Sequence, residues 1–280
     1  MNKFFAVLGS PIEHSKSPLI HSAAYRVLAE DWQYGRAEVQ KGQLRRFIET
    51  SDVDYQGFSV TMPLKEDAFR FATARDEVAE LTKSVNTLVR DEQGNWRGFN
   101  TDVFGIIKSV QNAAPGDLTT VLIIGSGATA YSAMAAVKTL APNARVLVFA
   151  RNRNTKKDLI SFGKTIGLSV ASTMFLGLAA AKAQLTISTV PANSLDAYFS
   201  KLLPRTSFKP GGTLLDVAYD PWPSLPAQLW QARGLTVING LDMLIWQAVA
   251  QIRIFKFGNP ALTLPNEVAV IEAMRNSVRD

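Results

Sequence analysis

Short runs of apolar residues alternate with amphipathic segments along most of the chain. The apolar runs are rich in Val, Ile, Leu and Phe, as is typical of strands that are buried on both faces of a sheet. The first amphipathic segment, residues 17–30, predicts a helix, because apolar residues recur at helical spacing at Ile20, Ala23, Ala24, Val27 and Leu28. Strands that alternate with helices in this way predict an α/β fold.

The predicted strands form two series. The first series lies at 4–9, 32–39, 57–62, 86–90 and 96–100, with a hairpin turn at 91–95. The second is more regular, with strands at 121–125, 145–150, 168–172, 185–190, 213–218 and 235–239. Six such strands complete a nucleotide-binding domain of the Rossmann type, so we expect the later helices, at 244–257 and 266–280, to pack on the first domain.

Capping residues predict where two helices start. Ser17 followed by Pro18 is typical of an N-cap and a first helical residue. Asn266 is expected to cap the last helix, whose apolar stripe consists of Val268, Ile271, Met274 and Val278.

The composition favours a protein of two domains that is held together by packing alone. The chain has 280 residues, of which 47% are hydrophobic and none is cysteine, so disulfides and thiolate metal sites are excluded. The N-terminal apolar run is too short for a signal peptide, and no stretch approaches the roughly 20 apolar residues of a membrane span. We expect a cytoplasmic protein with no membrane segment and no bound metal.

The charged residues argue against nucleic acid as a partner. The 30 basic and 24 acidic residues give a net charge of +6, but Lys and Arg are scattered instead of forming a continuous track. The densest basic cluster, residues 151–157, has the right size for a single phosphate group.

A glycine-rich turn in VLIIGSGATAYSA, residues 121–133, stands between a predicted strand and a helix, as a dinucleotide-binding fingerprint requires. The backbone amides of such a turn can approach a pyrophosphate at the helix N-terminus. Ala130 stands at the sixth position of the fingerprint, which accepts a small residue. The turn residues are Gly125, Ser126, Gly127 and Ala128. A tight turn without a ligand is the alternative.

The next strand ends in FARNRNTKK, residues 149–157, which bears on the choice of dinucleotide. An NAD site usually offers a carboxylate here for the ribose 2′-hydroxyl, whereas an NADP site offers a cation for the 2′-phosphate. This segment has no carboxylate, and its cations are Arg151, Arg153, Lys156 and Lys157. The sequence therefore predicts NADP (NADPH) as the cofactor, with a solvated basic loop as the alternative.

Lys65 is the first candidate for proton transfer. It follows a predicted strand and Pro63 and falls in the first turn of a helix, where a positive charge opposes the macrodipole by about 0.5 kcal/mol. No structural gain compensates for this unfavourable interaction with the helix dipole. The position therefore favours a role for Lys65 as an acid or base. A lysine that simply reaches solvent is the alternative. Asp102 either caps a helix or belongs to a site, and Asn86 either forms a turn or binds a ligand.

Both histidines, His14 and His21, lie in the stretch GSPIEHSKSPLIH, residues 9–21. A histidine catalyst needs a partner carboxylate or an activated nucleophile, which this stretch supports poorly. Ser15 and Ser17, with the lysine between them at the end of a strand, better suit a small polyhydroxy acid.

Six segments occur in the order and spacing of the shikimate dehydrogenase family, which the chain resembles over its whole length: SPIEHSKSP, SVTMPLK, SVNTL, GFNTD, IGSGATA and NGLDMLIWQA. The resemblance implies an oxidoreductase of aromatic amino acid biosynthesis that interconverts 3-dehydroshikimate and shikimate with NADP. It also implies an N-terminal α/β substrate domain and a Rossmann-type NADP-binding domain. We expect residues 1–102 and 241–280 to form the substrate-binding and catalytic domain, and residues 103–240 to form the Rossmann domain.

The resemblance also implies a role for each matching residue. Lys65 and Asp102 form the catalytic pair, which handles the proton. The substrate-binding residues are Ser15 and Ser17 for the carboxylate, and Thr61, Asn86 and Gln247 for the ring hydroxyls. The cofactor-binding residues are Gly125, Ser126, Gly127, Ala128, Arg151, Asn152, Arg153, Lys156, Val190 and Gly240.

Some positions depart from the commonest family pattern, among them Ser59, where Asn is frequent, and Thr155, where a second Arg is often found. These departures bear on substrate range and cofactor preference more than on the chemistry. Two other functions stay open at this point: a quinate/shikimate dehydrogenase that uses NAD, and a non-catalytic module that senses a dinucleotide or shikimate. The partner is expected to be a small-molecule substrate, and a monomer and a homodimer are both compatible with the sequence.

Overall fold

The structure, a computed structural model, describes residues 3–202 and 209–279. Residues 1, 2 and 280 of the predicted substrate domain, and 203–208 of the predicted Rossmann domain, lie outside the described residues. The chain divides into two compact units, one made of the residues up to Asp102 and from Leu244 onward, the other of Val103–Met243. Within the described ranges, no helix is long and apolar enough to cross a membrane.

Each strand predicted from the apolar pattern forms, and one very short strand, β4, adds to them. The strands are β1 (Lys3–Gly9), β2 (Trp32–Glu38), β3 (Tyr55–Val60), β4 (Ala74–Arg75), β5 (Thr87–Arg90), β6 (Trp96–Phe99), β7 (Thr120–Ile124), β8 (Arg145–Phe149), β9 (Ser169–Ser172), β10 (Leu185–Ser188), β11 (Thr213–Asp216) and β12 (Val237–Asn239). The helices are α1 (Ser17–Val27), α2 (Leu44–Thr50), α3 (Lys65–Phe71), α4 (Glu77–Thr82), α5 (Asp102–Ala113), α6 (Ala128–Leu140), α7 (Arg153–Thr165), α8 (Leu176–Lys182), α9 (Asp196–Leu202), α10 (Leu225–Gln231), α11 (Gly240–Phe257) and α12 (Glu267–Asn276).

The first unit contains a six-stranded mixed sheet in the order β2-β1-β3-β5-β6-β4. β1 pairs in parallel with β2 and β3, whereas β5 runs antiparallel to both β3 and β6. The predicted hairpin joins β5 to β6, and the Asp91 carboxylate holds its turn by accepting the N–H groups of Gln93 and Asn95. As a result, the ends of β3 and β6 meet the start of β5 at one edge of the sheet.

The second unit contains six parallel strands in the order β12-β11-β10-β7-β8-β9. The strand order reverses between β7 and β10, which is the topological switch point where dinucleotides bind in this architecture. The central strand β7 is buried, with Val121, Leu122 and Ile123 fully excluded from solvent. The predicted α/β fold class, with a Rossmann-type sheet in the second part of the chain, is confirmed.

The capping prediction is wrong for Ser17 and is right for Asn266 in position only. Ser17 is already the first residue of α1, and the cap position belongs to Lys16, whose side chain makes no capping hydrogen bond. Asn266 does occupy the cap position of α12, but its side chain makes no capping bond and its backbone is left-handed, with φ +50°. The start of α12 is held by Glu267, which accepts the Leu264 N–H and pairs with a buried arginine.

The predicted apolar stripes are right only in part. In α1, Ile20, Ala23 and Ala24 are buried, but Val27 is exposed. The buried face of α1 continues through His21 and Tyr25, whose rings pack with other aromatic rings of the same unit. In α12, Val268 is 82% exposed and Val270 takes its place in the core. Tertiary packing thus rotates the buried face of each helix relative to the one that hydrophobicity alone indicates.

Candidate active site

Lys65 and Asp102 form an ion pair within the first unit. Each is the first residue of a helix, Lys65 of α3 and Asp102 of α5. Lys65 Nζ lies 2.5 Å from Asp102 Oδ2, and the two side chains are 13% and 6% exposed. Because little water screens the pair, its attraction is stronger than that of a surface ion pair. The prediction that Lys65 lies in the first turn of a helix is confirmed.

Asn86 holds the other oxygen of the Asp102 carboxylate. Its Nδ2 donates to Asp102 Oδ1 at 2.8 Å, and its Oδ1 accepts the backbone N–H of Thr101 at 2.9 Å. Since a backbone N–H can only donate, this contact fixes which way the Asn86 amide points. Gln247 Oε1 lies 3.3 Å from the same Nδ2. The structure therefore gathers Lys65, Asp102, Asn86 and Gln247 into one polar cluster, which we call the carboxylate cluster.

The sheet explains how residues so distant in sequence meet. The Val60 N–H donates to the Asn86 carbonyl at 2.7 Å, and the Asn86 N–H donates to the Phe99 carbonyl at 3.0 Å. These bonds bring the end of β3, the start of β5 and the end of β6 together. The three strands thereby deliver the residues that follow or precede them to the same edge of the sheet.

Thr61 follows β3 at this edge. Its N–H donates to the Leu8 carbonyl at 2.9 Å, and its methyl group lies against Gly9 at the end of β1. A Cβ on Gly9 would stand 2.5 Å from Thr61 Cγ2 and 2.8 Å from the Met62 carbonyl oxygen. Glycine is therefore required at position 9 for β1 to approach Thr61 this closely.

Ser15 and Ser17 lie just before and at the start of α1. Ser15 Oγ accepts the Ser17 N–H at 3.3 Å, so Ser15, and not Ser17, supplies the local bond at this helix start. Ser17 is buried. Within the described residues, no hydrogen bond joins either serine to the carboxylate cluster, and their role in binding a substrate carboxylate stays a prediction.

The two histidines have different environments, and His21 is the buried one. His14 is exposed, whereas the His21 ring stacks on Tyr34 with the ring centroids 3.9 Å apart. Burial lowers the pKa of His21 from 6.5 to about 3, so its ring is neutral at physiological pH. Its nitrogens contact the Tyr25 hydroxyl and the Gln251 amide, at 3.2 and 3.3 Å, and not a carboxylate.

Sequence reasoning missed Gln251 and Thr87, which the structure places next to Asn86. Gln251 Nε2 donates to the Asn86 carbonyl and to Thr87 Oγ1. A signal for Gln251 was present in the sequence: it stands four residues after Gln247 in a strongly apolar helix, so both amides lie on one face of α11. Nothing in the sequence singled out Thr87, because threonine is common in strands.

The glycine-rich turn of the second unit requires glycine at its first position. Gly125 follows β7 with φ +114°, and a Cβ there would lie 2.4 Å from Thr189 Oγ1. Gly127 precedes α6, and no atom lies within 4 Å of the place where its Cβ would be. Ala130 is fully buried in the first turn of α6. The turn thus combines a backbone conformation that glycine adopts without strain with open space in front of a helix start, which fits a pyrophosphate.

The basic residues surround the start of α7, just after β8. Arg151 and Arg153 are exposed and Lys156 is partly buried, and among the described residues none of the three forms an ion pair. Asn152 caps α7, because its Oδ1 accepts the backbone N–H of Asn154 at 2.9 Å. Three cations without a carboxylate partner suit a phosphate with two negative charges.

Thr155 links the basic segment to the glycine-rich turn. Its hydroxyl lies 2.7 Å from the hydroxyl of Ser126, so the turn after β7 and the first turn of α7 are held together. Val190 Cγ1 lies 3.2 Å from the place of a Cβ on Gly125, which puts Val190 beside the same turn. Gly240 starts α11 where a Cβ would stand 2.3 Å from the Val217 carbonyl oxygen.

No group of His, Asp and Glu within the described ranges could hold a metal ion.

Known proteins resemble this chain in both sequence and fold. A model of the shikimate dehydrogenase substrate binding domain matches residues 7–88. An NADP(+)-dependent shikimate dehydrogenase from Leptospira interrogans is 30% identical over 258 residues, which make up 90% of this chain and 89% of that protein.

Solved structures extend the likeness over nearly the whole chain. The crystal structure of Mycobacterium tuberculosis shikimate dehydrogenase is 36% identical, with a TM-score of 0.83, and the match covers 98% of this chain and 99% of that one. Shikimate 5-dehydrogenase from Thermus thermophilus, solved in complex with NADP(H) and shikimate, is 26% identical, with a TM-score of 0.80 and coverage of 99% and 100%. On this likeness in sequence and fold, the chain belongs to the shikimate dehydrogenase family.

Proposed function

We propose that this chain is an NADP-dependent shikimate dehydrogenase in which Lys65 and Asp102 handle the proton of the reaction. The observation that carries this proposal is the 2.5 Å contact between Lys65 Nζ and Asp102 Oδ2 inside a largely buried polar cluster. An ammonium and a carboxylate that share a hydrogen bond can pass a proton to or from a substrate hydroxyl that lies beside them.

The amides around this pair are suited to a ring that carries several hydroxyl groups. Asn86 and Gln247 each offer an amide that can donate or accept, and Thr61 adds a hydroxyl at the same edge of the sheet. Ser15 and Ser17, beside the end of β1, would take the carboxylate of the substrate. The relative that was solved with shikimate bound supports this choice of substrate.

The second unit supports NADP as the cofactor. The turn at Gly125 and Gly127 suits the pyrophosphate, and Arg151, Arg153 and Lys156 suit the 2′-phosphate. When bound, NADPH supplies the hydride that reduces the ketone carbon. Asn152, Val190 and Gly240 shape the surroundings of these groups.

The protein groups then have separate tasks. Lys65 gives a proton to the ketone oxygen during reduction of 3-dehydroshikimate and takes it back from the hydroxyl during oxidation of shikimate. Asp102 accepts a hydrogen bond from that hydroxyl and keeps Lys65 in place. Asn86 fixes the direction of the Asp102 carboxylate through its bond to Oδ1.

Substitution of Lys65 by alanine tests the proposal. Loss of a proton-transfer group lowers turnover by about 10²- to 10⁴-fold, whereas the affinity for shikimate changes little. NADPH absorbance in a steady-state assay gives kcat and KM, and isothermal titration calorimetry gives the affinity. A Lys83→Ala variant, which removes an exposed lysine of the same unit, serves as the control. Wild-type turnover in the Lys65→Ala protein would exclude this role.

The same assay separates the rival functions. A higher kcat/KM for quinate with NAD than for shikimate with NADP would identify a quinate/shikimate dehydrogenase, since one misplaced polar contact can change selectivity by orders of magnitude. Binding of shikimate without any turnover would identify a sensing module.

A cytoplasmic location and a monomeric or homodimeric state stay predictions from the sequence.

A further inference from the structure

Behind the carboxylate cluster lies a second set of buried polar side chains in the same unit. It consists of His21, Tyr25, Tyr34, Ser59, Thr87 and Gln251, all of them buried. Gln251 is at its centre, because its amide oxygen contacts His21 and Ser59 while its amide nitrogen contacts Asn86 and Thr87. We call this set the Gln251 network.

The partners of Gln251 fix the orientation of its amide. The nitrogen lies 3.2 Å from the carbonyl oxygen of Asn86, an atom that can only accept, so this atom of Gln251 must be the N–H₂ group. The oxygen then faces Ser59 Oγ at 2.8 Å and His21 Nε2 at 3.3 Å. Reversal of the amide would put two acceptors against each other and is excluded by the same contacts.

This orientation determines where the His21 proton resides. An amide oxygen only accepts, so His21 Nε2 carries the hydrogen and Nδ1 accepts from the Tyr25 hydroxyl. Burial keeps the pKa of His21 near 3, so the ring stays in this neutral form. Ser59 Oγ accepts a hydrogen bond from the Tyr34 hydroxyl and donates one to the Gln251 oxygen. His21 Nε2 and Ser59 Oγ therefore both donate to the Gln251 oxygen, and each is linked in turn to a tyrosine hydroxyl.

The other side of Gln251 points toward the carboxylate cluster. Its N–H₂ group donates to Thr87 Oγ1 at 3.1 Å, and the Thr87 hydroxyl in turn donates to Asn86 Oδ1 at 2.9 Å. Asn86 Oδ1 thus faces the Thr87 hydroxyl and both the N–H and the hydroxyl of Thr101, which leaves Asn86 Nδ2 directed at acceptors that include Asp102 Oδ1. The donors form one directed chain from the Gln251 amide to the carboxylate.

We propose that Gln251 is a positioning residue for the reaction: through Thr87 and the carbonyl of Asn86, it holds the Asn86 amide in the orientation that aligns the Asp102 carboxylate with Lys65. The inference rests on the proposed function, because it needs Asp102 and Asn86 to act on the substrate. It goes further by giving a role in turnover to a side chain that touches none of the reacting groups.

Replacement of Gln251 by methionine, which has a similar length and no amide, is the main test. We expect kcat/KM for shikimate to fall by about tenfold or more, because a small misplacement of catalytic groups has a large effect on rate. The KM for NADP stays unchanged. Ser84→Ala, which removes a buried hydroxyl that has no hydrogen-bond partner among the described residues, is the control and keeps wild-type constants.

A second variant guards against a folding defect. Thr87→Val keeps the shape of the side chain but removes the hydroxyl between Gln251 and Asn86. It is expected to lower kcat/KM for shikimate in the same direction with little change in thermal stability. If Gln251→Met does not fold, the kinetic constants of Thr87→Val alone test the positioning role of Gln251. Wild-type constants in folded Gln251→Met or in Thr87→Val would overturn the proposal.

A merely structural role is distinguished by a double-mutant cycle. In an Asp102→Asn background, Gln251→Met should reduce the residual turnover little further, because its effect passes through Asp102. Losses that multiply independently would overturn the inference while leaving the proposed function intact. The proposed function fails differently: wild type would then not oxidise shikimate, whether or not it binds it, and the inference would fall with it.

Discussion

The two units present functional groups in opposite ways. In the first unit, the proposed site is made of side chains whose direction is set by buried hydrogen bonds, with the Asn86 amide held by Thr101 and Thr87. In the second unit, the proposed site is made of backbone, at a turn that starts with Gly125, and of exposed cations without described ion pairs. In the first unit, hydrogen bonds therefore fix the direction of individual side-chain groups. In the second unit, the site is an exposed surface beside a backbone turn.

The difference follows from what each site has to recognise. A ring with several hydroxyl groups is distinguished by the direction of each hydrogen bond, so its protein partners must be immobile. A phosphate has many equivalent acceptor oxygens, so backbone N–H groups and mobile cations are sufficient. The first unit should therefore respond to loss of single hydrogen bonds, and the second to changes in backbone shape and charge.

The largest of these effects is expected at Gly125. A Gly125→Ala variant places a Cβ 2.4 Å from Thr189 Oγ1 at a backbone angle of +114°, so the turn has to move. We expect the affinity for NADPH to fall by about a hundredfold and the thermal stability to fall with it. Fluorescence titration and thermal unfolding measure both.

Gly127→Ala is the matched variant at the same turn. Its φ of −87° is open to any residue and its Cβ meets nothing, so thermal stability should equal that of wild type. Affinity for NADPH should still fall, because the methyl group takes the space of the pyrophosphate. If both variants bind NADPH as wild type does, the turn is not the phosphate site.

The next effect concerns the pH dependence of stability in the first unit. The pKa of His21 is about 3 in the folded protein against 6.5 as its ordinary value, so below pH 6.5 the unfolded chain binds a proton that the folded chain does not. The free energy of unfolding should therefore fall as pH drops from about 6.5 toward about 3, by up to about 1.4 kcal/mol per pH unit from this group.

Chemical denaturation of wild type, His21→Phe and His14→Gln over this range measures that contribution. The curve for His21→Phe should be flatter than that of wild type, whereas His14→Gln, which changes an exposed ring, should run parallel to wild type. Parallel curves for all three proteins would contradict a buried neutral His21.

The smallest effect is expected from single cations of the second unit. Arg151→Ala should weaken NADP binding by about fivefold and leave NAD binding unchanged, since an exposed charge contributes about 1 kcal/mol. Lys164→Ala makes the same change of charge in the last turn of α7 and should have no effect. Competition binding of both dinucleotides at low ionic strength checks this, and equal losses for NADP and NAD would show that Arg151 does not read the 2′-phosphate.

Much of the fold could be predicted from the sequence because buried strands and tight turns have local signatures. The strands of the Rossmann-type sheet are continuous apolar runs, and the turn at Gly125 carries its glycines in a fixed pattern. Ser17 is not a cap, and Asn266 holds the cap position without a capping bond, because a capping side chain competes with other hydrogen-bond partners, and Ser15 and Glu267 are better placed. The prediction that Val27 belongs to the buried stripe of α1 was wrong, because aromatic packing buries the face that carries His21 and Tyr25.

The sequence by itself determined the α/β class and the two series of strands, and it predicted the dinucleotide-binding turn and the candidate residues Lys65 and Asp102. Only the tertiary structure decided that these two side chains touch, that Asn86 points its nitrogen at the carboxylate, and that Gln251 stands behind it. The reason is physical. Local pattern encodes which backbone a segment adopts, but the direction of a buried amide depends on donors and acceptors brought from distant strands, and these meet only when the sheet has formed.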